Sequence, residues 1–209
     1  MNSRSGSFWK FSNNYFYSLD HYYATLEDKY GDPRFFNSLF NSRRFRYVKT
    51  TVELAFKSKI QFGSGIKTVA DALGKPQLVF QKEDVPDYEI WLYRTFLAGE
   101  KVKIELHFHN KKLCIYNYIF SYLSQSKKQD LLDILSLKYL DDRTMDIASY
   151  KVTDKKKNFL IVEDSVDLSI WYVCGNSAFL KIFTAFQNKL ETEKQSQLNK
   201  KKQEYLQFL

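Results

Sequence analysis

The pattern of apolar and polar residues between positions 63 and 120 predicts one helix followed by three strands. Apolar residues at helical spacing cover Ile66–Leu73, and Gly74 followed by Pro76 ends the helix. Three runs rich in aromatic and β-branched residues follow, at 88–97, 102–110 and 113–120. Because the links between them are short, we expect antiparallel neighbours with the helix packed across one face.

The middle strand of this unit has a clean alternation. Its apolar residues are Val102, Ile104, Leu106 and Phe108, which we expect to face the helix, and the residues between them are Lys103, Glu105, His107 and His109. Two imidazoles and a carboxylate on one strand face could hold a transition metal. We favour a solvated sheet face instead, since no further ligand is marked in the sequence. The metal site at Glu105, His107 and His109 stays as an alternative.

A second segment repeats this order of elements. A helix is predicted over residues 126–140, and strands are predicted at 147–152, 158–162 and 166–174. The expected fold class is therefore α+β, with two tandem units that each combine a helix with a three-stranded antiparallel sheet. The first unit spans residues 51–122 and the second spans 123–175.

The two ends of the chain are predicted to be helical. Residues 1–50 form an aromatic and basic N-terminal extension, with helices over 18–30 and 35–40 that dock on the sheet or on a partner. Residues 51–62 favour a further short helix. Residues 176–209 are predicted to form one long C-terminal helix.

Part of the central pattern resembles a known family. The run GSGIKTVADALGKP at 63–76, the pair Trp91 and Tyr93, and IELHFHNKKL at 104–113 are similar to small outer-membrane assembly lipoproteins of the SmpA/OmlA type. They are also similar to the related β-lactamase-inhibitor-protein-like modules (BLIP-like fold). The resemblance implies a non-enzymatic bacterial module that binds other proteins through its sheet. Those lipoproteins carry a signal peptide and a lipidated cysteine, which this sequence lacks, so we do not carry over an outer-membrane role.

The sequence contains no motif that is typical of an enzyme active site. The chain has three histidines and shows no phosphate-binding loop, no nucleophile elbow and no Cys-His arrangement. We therefore expect no enzyme and no cofactor. Cys114 and Cys174 are expected to be buried free thiols, with a disulfide as the alternative in an oxidising compartment. The absence of a signal sequence and of a membrane-spanning run predicts a cytoplasmic protein.

The charge balance narrows the choice of partner. The formal net charge is +8, which favours an acidic protein, nucleic acid or an anionic membrane surface. One cluster interleaves cations with aromatic rings: Arg43, Arg44, Phe45, Arg46, Tyr47 and Lys49. It could form a nucleic-acid groove. We favour a strand or turn whose cations lie over an aromatic surface, since no known nucleic-acid module frames the cluster.

The functional hypothesis from the sequence is a protein-protein interaction module that binds its partner across the sheet. Its candidate anchors are the aromatic residues Trp91, Tyr93, Tyr116 and Tyr118. The alternative for these rings is a core position under the N-terminal extension. Nucleic-acid binding by residues 43–49 and metal binding at Glu105, His107 and His109 are the alternative functions.

Overall fold

The computed structural model describes residues 19–31, 34–40, 45–56, 60–81, 85, 87–175 and 178–208. Five α-helices lie in these ranges: α1 (Leu19–Gly31), α2 (Arg34–Phe40), α3 (Ile66–Leu73), α4 (Gln125–Leu140) and α5 (Ala178–Phe208). The strands there are β1 (Arg46–Lys49), β2 (Leu78–Gln81), β3 (Tyr88–Leu97), β4 (Glu100–His109), β5 (Lys112–Phe120), β6 (Tyr150–Thr153), β7 (Phe159–Asp164) and β8 (Leu168–Val173). A 3-10 helix, Ile147–Ser149, precedes β6. The α+β class is confirmed.

The eight strands form one continuous mixed sheet. Their order is β1-β6-β7-β8-β5-β4-β3-β2, and β1 and β6 are parallel while all other neighbours are antiparallel. β5 pairs with β8, so the strands of both predicted segments belong to the same sheet. The edge strands β1 and β2 are each four residues long. A short edge strand offers few unpaired backbone groups and so limits uncontrolled pairing with other chains.

The first face of the sheet packs against α3 and α4. The apolar residues of β4 predicted to face the helix are buried there in one cluster with Val69 and Leu73 of α3. The predicted bounds of α3 are confirmed, and its end is fixed by Gly74, whose φ of +81° suits glycine. The Tyr93 hydroxyl donates to the Gly74 carbonyl at 3.0 Å, which ties β3 to this helix end.

The second face lies under α1 and α2. Leu26 and Tyr30 of α1 and Phe36 and Phe40 of α2 are buried in a cluster with residues of β3, β5, β7 and β8. The described helices of the N-terminal extension, α1 and α2, therefore dock on the sheet, which is one of the two arrangements expected from the sequence. The expectation that Glu105 and His107 lie on a solvated face is wrong, because these helices cover them and leave them 3% and 0% exposed.

One further prediction about local structure is wrong, and one strand was not predicted. Residues 51–56 and 60–62 form no helix in the described chain; they run as bends and extended segments, with Leu54, Phe56 and Ile60 buried against the first face. The strand β2 was not predicted, because its run of four residues has no clear alternation. In the described ranges, no helix combines the length and apolar character required to span a membrane.

Candidate functional site

A concave surface with both charged and apolar walls lies at one end of the central strands. It is a cleft of about 290 Å³ lined by Tyr22, Thr25, Arg94, Thr95, Phe96, Lys101, Val102, Lys103, Ile119, Ser121, Tyr122, Val166 and Asp167. The register pairs Arg94 with Lys103 and Lys103 with Ile119, so these side chains share the face that α1 covers. The first turns of α1 supply Tyr22 and Thr25 as one wall.

The floor of this cleft is cationic. Arg94, Lys101 and Lys103 face it, and Asp167 is the acidic residue among its lining residues. The guanidinium carbon of Arg94 lies 3.8 Å from the centre of the Tyr22 ring, a cation–π contact between β3 and α1. Lys103 Nζ is 4.0 Å from Asp167 Oδ2 across the mouth. The lining therefore contains three cationic side chains and one carboxylate.

The rim of the cleft carries exposed apolar side chains. Tyr122, in the link after β5, is 94% exposed, Val166, in the turn between β7 and β8, is 96% exposed, and Phe96 near the end of β3 is 40% exposed. Isolated exposed apolar residues are common on protein surfaces, but several around one cleft mark a contact surface. Cationic floor and apolar rim together suit a ligand with negative charge and an apolar group.

One row further along β4, a buried polar cluster joins α1 to the sheet. Glu105 Oε2 accepts hydrogen bonds from Lys29 Nζ at 2.9 Å, Tyr30 at 2.5 Å and Asn117 Nδ2 at 3.1 Å. Burial alone would raise the pKa of the Glu105 carboxyl, but the Lys29 charge and the Tyr30 hydrogen bond hold that pKa below its usual value. Glu105 is therefore ionised, and α1 is fastened to β4 by a charged contact.

His107 completes this cluster as a neutral base. Its Nδ1 lies 2.5 Å from the Tyr88 hydroxyl, and burial lowers its pKa to about 3. The nearby carboxylate favours the tautomer with the proton on Nε2, so that Nδ1 accepts from Tyr88. Nε2 lies 4.0 Å from Glu105 Oε2, too far for a hydrogen bond, and has no hydrogen-bond partner in the described part of the chain.

The predicted metal site at Glu105, His107 and His109 is not assembled by the described residues. The register shifts between His107 and Phe108, and His109 lies half-buried at the strand end, with Nδ1 3.3 Å from Asn110 Nδ2. No group of three or more His, Cys, Asp or Glu side chains that could hold a metal occurs in the ranges described above. Glu105 and His107 remain a pair inside a sealed interior.

The four predicted aromatic anchors lie on the first face, under α3, α4 and the segment before α3. Trp91, Tyr93 and Tyr116 are 7%, 1% and 1% exposed, so the expectation of exposed anchors is corrected for these three. Tyr116 stacks on Tyr172 with ring centres 4.4 Å apart. Tyr118 is partly buried against the same cluster. The core alternative describes where these rings lie.

The predicted basic-aromatic cluster is partly described. Arg43 and Arg44 lie outside the described residues, and Phe45 is buried in the second face. Arg46, Tyr47 and Lys49 lie on the edge strand β1, where all three are exposed and Tyr47 is 72% exposed. Cys114 and Cys174, the last of the sequence candidates, are free thiols.

Comparison with known protein families, with curated proteins and with solved structures finds no match to this chain. The site is therefore defined by its own geometry. Sequence reasoning missed the cleft because its lining comes from α1, three strands, the link after β5 and the turn between β7 and β8. The isolated apolar residues Tyr122 and Val166, each beside a polar turn, were the available signal.

Proposed function

We propose that the protein is a non-enzymatic interaction module that holds a segment of another protein in the cleft at the end of β3, β4 and β5. The partner segment carries acidic residues beside an apolar side chain. The observation that carries this proposal is the pairing of the cationic floor of Arg94, Lys101 and Lys103 with the exposed rim residues Tyr122 and Val166.

The rest of the described structure also favours the end of the sheet as the binding surface in preference to either of its faces. One face lies under α3 and α4 and the other under α1 and α2, so neither broad face is free for a partner. We therefore propose that the partner binds at the strand ends and not, as expected from the sequence, on the sheet face. Apolar side chains at a contact centre supply much of the affinity, and the complementary charges steer association.

The absence of enzymatic activity is part of the proposal. The side chains best suited to acid-base chemistry, Glu105 and His107, are sealed beneath α1 and are 3% and 0% exposed. A substrate would have to displace that helix to reach them. The cleft itself presents mainly cations and apolar groups, which suit binding.

The proposal also includes the predictions about the tandem units, the family resemblance and the cellular location. In this proposal residues 51–122 and 123–175 are two tandem units that each combine a helix with a three-stranded antiparallel sheet. The order of α3 before β3–β5 and of α4 before β6–β8 supports it. The resemblance of residues 63–120 to the SmpA/OmlA-type and β-lactamase-inhibitor-like modules supports a protein-binding role. A cytoplasmic location is consistent with the free thiols of Cys114 and Cys174.

Capture from nuclease-treated lysate with matched variants tests this function. The cleft variants are Tyr122→Asp and Lys103→Glu, and the controls are Leu137→Asp on the exposed side of α4 and Lys67→Glu on α3. We expect one protein to be captured by the wild type and by both controls, and to be lost with either cleft variant. Equal capture by all variants, or no protein dependent on Tyr122 and Lys103, would refute the cleft as the binding site.

A further inference from the structure

The edge strand β1 brings an exposed aromatic ring into a line of cations. β1 pairs in parallel with β6, with Tyr47 opposite Lys151 and Lys49 opposite Thr153. Val48 packs toward the first core, so Tyr47 and Lys49 project from the opposite face, about 7 Å apart along the strand. Tyr47 is 72% exposed, and Lys151 Nζ lies 5.7 Å from its ring centre.

A second basic segment converges on the same edge. The turn between β6 and β7 carries Lys155, Lys156 and Lys157, all exposed. Three contacts hold this turn beside the end of β1: Thr50 N donates to Thr153 O at 2.9 Å, Leu54 N donates to Asp154 Oδ2 at 3.1 Å, and Lys156 Nζ bonds Glu53 Oε1 at 2.6 Å. The basic turn therefore lies beside the end of β1, although the two segments are about a hundred residues apart in sequence.

We infer that this edge, defined by Tyr47, Lys49 and Lys155–Lys157, binds single-stranded nucleic acid. The exposed Tyr47 ring stacks on a base, and Lys49 and the lysines of the β6–β7 turn, which follow it along the edge, contact the phosphates. An exposed ring flanked by cations on a fixed strand suits an unpaired base, because stacking needs an accessible aromatic face. The site is separate from the cleft proposed for a protein partner.

The charges opposite this surface favour the same ligand. Two acidic residues lie at the turn: Glu53 engages Lys156, and the buried Asp154 accepts backbone hydrogen bonds there. Against them stand four lysines, Lys49 and Lys155–Lys157, which leave a positive excess among the described residues. The overall charge of +8 adds a general attraction for any polyanion. The ring of Tyr47 is what distinguishes a base-stacking site from that general attraction.

Fluorescence anisotropy with a short labelled oligothymidylate, titrated with the full chain at several salt concentrations, tests this inference. We expect Tyr47→Ala to weaken binding about tenfold. Lys49→Ala should make the negative slope of log association constant against log salt concentration shallower by about one. The matched controls are Tyr205→Ala, an exposed ring on α5, and Lys67→Ala, which removes the same charge from α3. Both controls should bind within about twofold of the wild type.

Three results would overturn the inference. One is no binding at low salt, and another is equal weakening by the variants and their controls, which would indicate attraction to net charge alone. The third is displacement of the oligonucleotide by polyglutamate at equal charge concentration, which would assign the edge to acidic polypeptides. Circular dichroism of each variant confirms that the surface substitutions leave the fold intact.

Discussion

The imidazole of His107 and the carboxylate of Glu105 lie 4.0 Å apart in the interior between α1 and the sheet. Both side chains are almost fully buried, and Lys29 is the cation that balances the carboxylate. A buried charge of this kind is tolerated only with its partners in place. The docking of α1 therefore depends on the ionisation of a few groups, and that dependence can be measured.

The first prediction concerns acid. Burial lowers the pKa of His107 to about 3, below the ordinary value of 6.5. The unfolded chain therefore binds a proton that the folded chain does not as the pH falls below about 6.5, so stability is full above that pH and declines toward pH 3. This residue alone should remove about 2 kcal/mol between pH 8 and pH 5.

Urea unfolding of the wild type and His107→Gln at several pH values measures this effect. Between pH 8 and pH 5 the free energy of unfolding of the variant should change less with pH than that of the wild type, whatever the absolute stability of the variant. The control is Leu137→Gln on the exposed side of α4, which removes no titratable group and should keep the wild-type slope. A slope unchanged by His107→Gln would contradict a buried neutral imidazole.

The second prediction concerns the charged contact under α1. Glu105→Gln keeps the side-chain shape but removes the negative charge that pairs with Lys29, whose side chain is 24% exposed. Loss of one member of a mostly buried pair should lower the free energy of unfolding by about 3 kcal/mol. The control is Glu100→Gln, which breaks the exposed pair with Lys127 and should cost about 0.5 kcal/mol. Equal costs would mean that the buried pair does not fasten α1.

The third prediction concerns a close approach of two backbone segments. A Cβ atom added at Gly175 would lie 1.5 Å from the Lys157 carbonyl oxygen, and the glycine N–H donates to Asn158 Oδ1 at 3.2 Å. Gly175→Ala must push β8 away from the β6–β7 turn, so we expect a loss of about 3 kcal/mol, measured by thermal unfolding. Gly65→Ala, whose nearest neighbour lies at 4.0 Å, should stay within about 0.5 kcal/mol.

Local sequence signals were sufficient where the structure depends on neighbouring residues. The bounds of α3 and β3 follow the pattern closely, because a helical stripe closed by Gly74 and a long aromatic run are encoded within a few residues. By contrast, the segment after Thr51 has apolar residues at helical spacing but no helix. Its side chains fill the first core from an extended backbone, and that tertiary packing overrides the local pattern.

The errors at the site have a long-range cause. The polar side of β4 looked solvated because the residues that cover it, Lys29 and Tyr30, lie about 75 positions earlier in the chain. No periodicity within β4 reports that match. The cleft was missed for the same reason, while the convergence of Lys49 with Lys155–Lys157 follows from the parallel pairing of β1 with β6.

The measurement that tests the central claim most directly is photo-crosslinking from the cleft rim. A benzophenone amino acid is placed at Tyr122 or Val166, and at Ile134 and Val79 as exposed apolar control positions on α4 and β2. The account predicts that both rim positions crosslink to the same protein and that Lys103→Glu reduces the yield, while the controls do not crosslink to it. Crosslinking of that protein from Ile134 or Val79 but not from the rim would place the interface elsewhere and contradict the account.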